Sequence, residues 1–255
     1  MKILKCVIRY SLSWLKYLLI VGFIFLSNSD AEESNVVLCG IDADYNSKYV
    51  WRGIIYNDVP VIQPSVWFSL NDFTFSIWSN FIAGNEYNQG KIDETDFTLL
   101  YVYEWQKISF EPSINIYSYP NQEESPTTGE SSLKISYPLG LINIYTEHSF
   151  DIMKCSGSYY AALGMELEHK ISSRLSMNGS VSAGYGSSKF VDTYLDVSKT
   201  TLNTVIGSFS FTDELPLKFY IKPHLEINRI LNNRLSKQVD KPTVVNVGIV
   251  VGKEF

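Results

Sequence analysis

The sequence predicts an all-β protein, an antiparallel transmembrane β-barrel of twelve strands. Three observations carry this expectation. Twelve amphipathic segments of strand length run from Val36 to Phe255. The connections between them alternate long and short, as in outer-membrane barrels with an even strand count. An N-terminal export signal precedes them all.

Met1 to Ala31 has the layout of a secretory signal. Lys2, Lys5, Arg9 and Lys16 make a basic n-region, and Tyr17 to Leu26 is an uncharged apolar run of ten residues. Ser29-Asp30-Ala31 places small residues at −3 and −1, so cleavage is expected after Ala31. A spanning helix needs roughly 20 apolar residues, so an uncleaved anchor is the weaker alternative. The division is then a signal at 1–31 and a barrel at 32–255. The whole chain carries −6, and loss of four basic residues and Asp30 takes the mature part to −9. That charge argues against nucleic acid as a partner.

Mean hydropathy is near zero, which argues against a helical membrane protein. A barrel shows only every second residue to lipid, so an ordinary composition suits it. The 17 Tyr and 5 Trp fit interfacial girdles, although a soluble β-sandwich can be equally aromatic. Cys6 leaves with the signal, and Cys39 and Cys155 remain. They fall near opposite ends of a wall roughly 25 Å tall, beyond disulfide reach, so two free thiols are expected. Val36-Val37-Leu38-Cys39 faintly resembles a lipoprotein box, but it lies too far past the apolar run and Leu38 is too large before the cysteine. No Cys/His spacing suggests zinc, and neither a metal nor a cofactor is expected.

Period-two alternation locates the strands. The first, about 36–49, sets Val37, Cys39, Ile41, Ala43 and Tyr45 against Gly40, Asp42, Asp44 and Asn46. The second and third, about 61–70 and 73–81, flank a tight Asn71-Asp72 turn. The fourth, about 95–105, carries the stripe Phe97, Leu99, Tyr101, Tyr103 and Trp105. Gln106-Lys107 turns into the fifth, about 108–119. The sixth, about 131–137, is joined through Pro138-Leu139-Gly140 to the seventh, which ends near Ser149. The eighth (about 158–168) and ninth (about 175–186) flank a turn near Ser172-Ser173. The tenth, about 200–211, alternates poorly and leaves its facing open. Asp213-Glu214 turns into the eleventh, about 217–228, where Leu217, Phe219, Ile221, Leu225 and Ile227 oppose Lys218, Tyr220, Lys222, His224, Glu226 and Asn228. The twelfth runs from Val244 to Phe255.

Connections after odd strands are long, near 50–60, 82–94, 120–130, 150–157, 187–199 and 230–241, and those after even strands are tight. This places both barrel termini in the periplasm and the long loops outside. Alternation alone does not say which face is outward. A soluble lipocalin-like barrel would bury the apolar stripe, but it usually needs only eight strands. The second face is Ser, Asn, Gly and charged residues, a poor dry core and a good wet lumen. Phe255, an aromatic residue ending an amphipathic strand, resembles the assembly signal of bacterial outer-membrane proteins. It implies outer-membrane lipid and the barrel-assembly machinery as partners.

Ser47-Lys48-Tyr49-Val50-Trp51-Arg52-Gly53, followed by Asn57-Asp58-Val59-Pro60-Val61-Ile62-Gln63-Pro64-Ser65-Val66 and the aromatic segment Phe73 to Phe81, resembles the TorF-type porins. The specific motif covers roughly the first third of the mature chain, with Tyr49, Trp51, Arg52, Gly53, Gln63 and Pro64 as its marked positions. The resemblance implies a barrel and pore activity; it brings no substrate and no catalytic residues.

Arg52 shares parity with Asp42 and Asp44 and is expected at the outer mouth. It either filters ions at a constriction or anchors the first loop by ion pairing, with Gly53 supplying the turn, and the anchoring role is favoured. Tyr49 and Trp51 have lipid-facing parity and suit an aromatic girdle. The expected lumen face carries Asp42, Asp44, Asp96, Glu104, Glu111, Glu147, Glu166, Glu168, Glu226 and Glu254 against Lys134, Lys218 and Lys222, ten acids against three lysines. Carboxylate rings favour cations, unless the acids pair internally. Trp67, Trp78, Tyr117, Tyr160 and Tyr220 share that face, and twelve strands lie between filled and open barrels, so a narrow or plugged pore is expected. His224 and Glu226 share a face but lack a third metal ligand. No G-x-S-x-G, H-E-x-x-H or Walker sequence occurs. His148 and His169 are the histidines left for an outer-wall hydrolase, and neither has an evident triad.

The expected function is passive diffusion of ions or small polar solutes through a narrow, mildly cation-selective channel in the bacterial outer membrane, without catalysis. An adhesive or structural barrel acting through its outer loops is the first alternative. A lipid hydrolase is the second.

Overall fold

A computed structural model of the protein describes residues 37–84, 90–122 and 125–255. The expected signal at 1–31, its cleavage point and Cys6 lie outside the described residues. The strands are β1 (Val37–Asn46), β2 (Tyr49–Trp51), β3 (Ile54–Asn57), β4 (Val61–Leu70), β5 (Phe73–Ile82), β6 (Ile92–Tyr101), β7 (Tyr103–Trp105), β8 (Ile108–Ser118), β9 (Thr128–Leu139), β10 (Ile142–Asp151), β11 (Tyr159–Lys170), β12 (Leu175–Gly186), β13 (Leu202–Glu214), β14 (Phe219–Ile230) and β15 (Thr243–Glu254). One α-helix, α1 (Ser188–Leu195), lies in the connection after β12.

Every neighbouring barrel pair is antiparallel, and β1 pairs with both β4 and β15, so the sheet closes on itself. β6 and β7 act as one barrel strand interrupted at Val102. Both pair with β8 in a single register, Leu100 opposite Ser113 and Tyr103 opposite Phe110. With β2 and β3 set apart as their own hairpin, the barrel has twelve strands. Closure leaves no sheet edge, which a lipid-embedded sheet requires.

The apolar stripe faces outward. Val37, Ile41 and Tyr45 of β1, Phe73 and Phe75 of β5, Leu163 of β11 and Val245 to Val251 at alternate positions of β15 are exposed large apolar side chains, with Leu163 67% exposed. Asn46, Gln63, Asn80, Glu130, Ser149, Thr204 and Asn228 are buried. This inverted amphipathicity is the pattern of a barrel in hydrocarbon. Short turns cluster at the end of the barrel that holds Val37 and Phe255. Asn71 (φ +51°), Gln106 (+57°) and Gly140 (+68°) take the left-handed conformation that tight hairpins use.

Several boundaries differ from the sequence expectation. β1 stops at Asn46, because Ser47 bonds instead to Val247 and Asn246. β6 begins at Ile92 and β9 at Thr128, earlier than expected, since their outer ends carry polar residues on the lumen side where alternation has no apolar partner to reveal it. The connection 187–199 contains α1, N-capped by Ser187, whose hydroxyl accepts from Phe190 N at 3.2 Å. β13 puts Thr204, Ser208 and Ser210 inward and Val205, Phe209 and Phe211 outward. It read poorly because Leu202 also points inward, into the apolar cluster of the outer mouth. Cys39 and Cys155 are both free.

Adjacent residues on β12 test the facing. Val181→Arg should destabilise the barrel by about 2–4 kcal/mol, the cost of arginine near the bilayer midplane, and Ser180→Arg by well under that. Urea unfolding of refolded protein in lipid vesicles measures both, and equal costs would contradict the assignment.

Candidate functional site

The site lies at the end of the barrel with long connections, where loop 1 folds inward. After Asn46 the chain makes the β2–β3 hairpin, turning through Arg52 (φ +53°) and Gly53 (φ +83°). Two successive positive φ values are what a tight type I′ turn needs. A Cβ at Gly53 would sit 2.9 Å from Thr204 on β13, so close approach to the wall also demands glycine there.

The turn carries Arg52 to β9. Its Nη1 and Nη2 donate to Glu130 Oε1 and Oε2 at 2.9 and 2.8 Å, a bidentate pair. The Tyr117 hydroxyl donates to Glu130 Oε2 at 3.0 Å. The guanidinium lies 4.2 Å from the Trp51 ring centre, 4.3 Å from Tyr160 and 5.7 Å from Phe190, a cation–π arrangement. The Glu130 side chain is 1% exposed and Arg52 10%. Burial works against the Arg52 charge, but the adjacent Glu130 carboxylate more than offsets it and holds the guanidinium above its ordinary pKa.

Tyr49 and Trp51 correct the girdle expectation. Neither faces lipid. Tyr49 is buried, its ring 5.4 Å from both Tyr56 and Trp78. Trp51 packs on Phe190 at 5.7 Å and Tyr194 at 5.2 Å. Lipid-facing parity at residues 49 and 51 would need β1 to continue to residue 49, whereas the chain leaves the wall at Asn46. Ile54, Tyr160, Phe190, Val191, Leu202, Ile230 and Leu235 form an apolar cluster against this face of the hairpin. Each such side chain stabilises the inward fold by about 1.5–3 kcal/mol when fully buried.

Two polar devices hold the base of loop 1. Asp58 forms ion pairs with Lys241 and Lys48, tying loop 1 to the connection before β15. Side-chain amides run head to tail around the wall: Asn246 donates to Asn46 (2.7 Å), Asn46 to Gln63 (3.0 Å), Gln63 to Asn80 (2.9 Å), and Asn80 to both Asn57 (2.8 Å) and Asp93 (2.6 Å). Asn57 closes the run by donating to Asp93 at 3.0 Å. Such a chain is polarised along its length and needs every member.

Below the hairpin the lumen is polar. A cavity of about 380 Å³ is roofed by Trp51 and Arg52 and walled by Asn115, Tyr117, Tyr145 and Glu147 among others. A second, about 370 Å³, holds Glu166, Glu168, Asn178 and Lys222. A third, about 210 Å³, shares Lys222 and adds Asp44, His224 and Glu226. On the other flank of loop 1 lies a cavity of about 260 Å³ with Tyr49, Tyr56, Asp93 and Glu94.

Of the residues singled out from sequence, Asp42 accepts from Ser65 (2.8 Å) and Tyr220 (3.2 Å), and Asp44 pairs with His224 at 2.9 Å. Lys134 reaches Glu166 at 3.4 Å. Asp96 lies on β6 inside the wall, with Oδ1 buried. Glu111 on β8 accepts from Ser109 at 3.5 Å. Glu104 sits on β7 at the short-turn end and is exposed. His148 shares the outer-wall parity of Ile144 and Phe150, bonded to Tyr159 (2.7 Å) and Thr146 (3.1 Å). Phe255 is exposed, its amide donating to Cys39 O at 2.9 Å. Glu130, Glu94, α1 and the amide run lie outside the sequence expectations. The isolated polar residues Asn46, Gln63 and Asn80, one on each of three successive barrel strands, were the available signal.

Among known proteins, no family model and no curated relative matches the chain. Among solved structures the fold matches the NanC porin, with 11% identity, a TM-score of 0.50 and coverage of 84% of this chain and 98% of that one. An outer-membrane channel from Pseudomonas putida F1 matches at 9% identity and TM-score 0.48, covering 90% and 98%. The DcaP channel of Acinetobacter baumannii matches at 8% and 0.45, covering 89% and 99%. At 11% identity the likeness to the NanC porin is one of fold, the closed outer-membrane barrel.

Glu130→Ala should destabilise the protein by about 3–5 kcal/mol, because it leaves the Arg52 charge buried without its partner. Urea unfolding measures the loss, and limited proteolysis should show loop 1 cut faster than in the parent. The Asp58 clasp gives a pH dependence. Hydrogen bonds from Lys241 and Lys48 hold the Asp58 carboxyl below its ordinary pKa, so the clasp is complete above the ordinary carboxylate range and opens only as pH falls through the depressed value. Amide protection in loop 1 should therefore be level down to that range and fall below it; loss near neutrality would contradict the assignment.

Proposed function

We propose that the protein is a narrow, mildly cation-selective channel of the bacterial outer membrane, with loop 1 as its constriction. The observation that carries this is the series of polar cavities down the lumen, ending outward at a hairpin pinned by one bidentate ion pair. Ions or small polar solutes would diffuse through without a chemical step. Cation preference follows from the lining, where Asp44, Glu147, Glu166, Glu168 and Glu226 outnumber Arg52 and Lys222. The TorF-type resemblance supports the same function, since its marked positions Tyr49, Trp51, Arg52 and Gly53 build the inward hairpin. The exposed Phe255, directly after β15, supports recognition of that strand by the assembly machinery in the same membrane.

The filled outer mouth favours a second function, a closed barrel that acts through its external loops. The cluster of Phe190, Leu202 and Leu235 against Trp51 and Ile54 is what an adhesive or structural barrel would also need. A hydrolase gains less support, because the partners of His148 are a tyrosine and a threonine.

Single-channel recording in a planar bilayer under a KCl gradient separates these. The channel predicts discrete steps with a cation-selective reversal potential, and larger steps when residues 48–58 are shortened to a two-residue turn. Glu166→Gln with Glu168→Gln should move the reversal potential toward zero. A folded barrel that never conducts, with or without loop 1, would refute the channel and leave the external loops as the working part.

A further inference from the structure

Glu130 and Tyr160 of the barrel wall and Phe190 of α1 converge on one group, the guanidinium of Arg52, and Tyr117 of the wall bonds to Glu130 behind it. Together they make a complete guanidinium receptor: a carboxylate presenting both oxygens, a phenol that fixes that carboxylate, and aromatic faces on the flanks. The occupant is not part of the wall. It arrives on the tip of a hairpin that shares no ladder hydrogen bonds with the barrel strands.

We propose that this recess binds small guanidinium-bearing cations and that Arg52 is its tethered competitor. The proposal rests on the channel function, because the solute reaches the recess through the lumen. The cavity of about 380 Å³ that Arg52 roofs has room for the remainder of such a molecule, and Glu147 there favours a second positive charge over a carboxylate. Exchange is selective for chemical reasons. Glu130 is too deeply buried to be left unpaired, so Arg52 leaves readily only when another group reproduces its two parallel hydrogen bonds. A guanidinium does so; an ammonium is a point charge without the planar fork. Anions meet Glu130 and Glu147 and are excluded. A short tether gives Arg52 a millimolar effective concentration, so a solute must reach that range to displace it.

The test removes the competitor and supplies the free group. Refolded wild-type protein and Arg52→Ala are titrated with methylguanidinium and, as a control, methylammonium, with tryptophan fluorescence as the readout, since Trp51 flanks the site. Arg52→Ala should bind methylguanidinium at least about tenfold more tightly than the wild type, which still carries its tethered group. Methylammonium should bind at least about tenfold more weakly, for want of the bidentate contact. Adding Glu130→Gln should abolish the signal. No saturable signal in Arg52→Ala, equal binding of the two cations, or binding that survives Glu130→Gln would overturn the proposal. If Arg52→Ala fails to give a heat-modifiable folded band, Arg52→Lys carries the same comparison, because its single-pronged contact should yield to methylguanidinium more easily than the wild type does. The readout needs no conductance. A guanidinium-specific signal in a barrel that never conducts would leave the site standing and refute the channel; a conducting barrel without that signal would do the reverse.

Discussion

The constraint on which everything else depends is the pairing of backbone amides in a medium without water. An open edge in hydrocarbon would leave a row of unsatisfied N–H and C=O groups, each costing several kcal/mol. Pairing of β1 with β15 removes that edge. Once the ring is closed, side-chain alternation has one solution. The apolar stripe must meet lipid, and the polar stripe must line the interior. The apolar packing found in the centre of a soluble protein is displaced to the one place where loops can supply it, the outer mouth.

Inside that ring, polar groups do the holding that apolar groups do elsewhere. The amide run from Asn246 to Asp93 joins β15, β1, β4, β5 and β6 through their side chains as well as through the ladder. Arg52 reaches β9 on the far side of the ring. Loop 1 is therefore fixed at its base by neutral amides and a surface ion-pair clasp, and at its tip by a buried charge pair. The two ends differ in kind: the base is local and cooperative, whereas the charge at the tip depends on a single carboxylate.

The strand count, the facing and the alternation of long and short connections were legible because they follow from a strict period of two. Tyr49 and Trp51 were misplaced by the same rule, applied past the point where the chain leaves the wall. Glu130 was missed because residues 128–130 are Thr-Gly-Glu, with nothing apolar at alternate positions to mark a strand. α1 was missed for a related reason: its helical stripe serves a local cluster inside a loop, where a barrel pattern predicts only length. Arg52 was legible as an anchor, since a lone arginine before glycine on a lumen-parity position invites a carboxylate. Its partner was not, because contacts across a barrel leave no periodic trace in sequence.

Glycines on the inner wall carry one further consequence. The ring of Trp67 lies where a Cβ of Gly40 would be, at 2.7 Å, and the ring of Tyr145 occupies the same position over Gly164, at 2.5 Å. Each ring lies flat in a recess made by the missing side chain of its cross-strand neighbour. The bore is thus set in part by residues that contribute no lining atoms of their own. A single-nucleotide change that turns one of these glycines into alanine would lift a large ring off the wall and narrow the lumen without altering its charge. The width of the lumen can therefore drift through positions that look like mere scaffold.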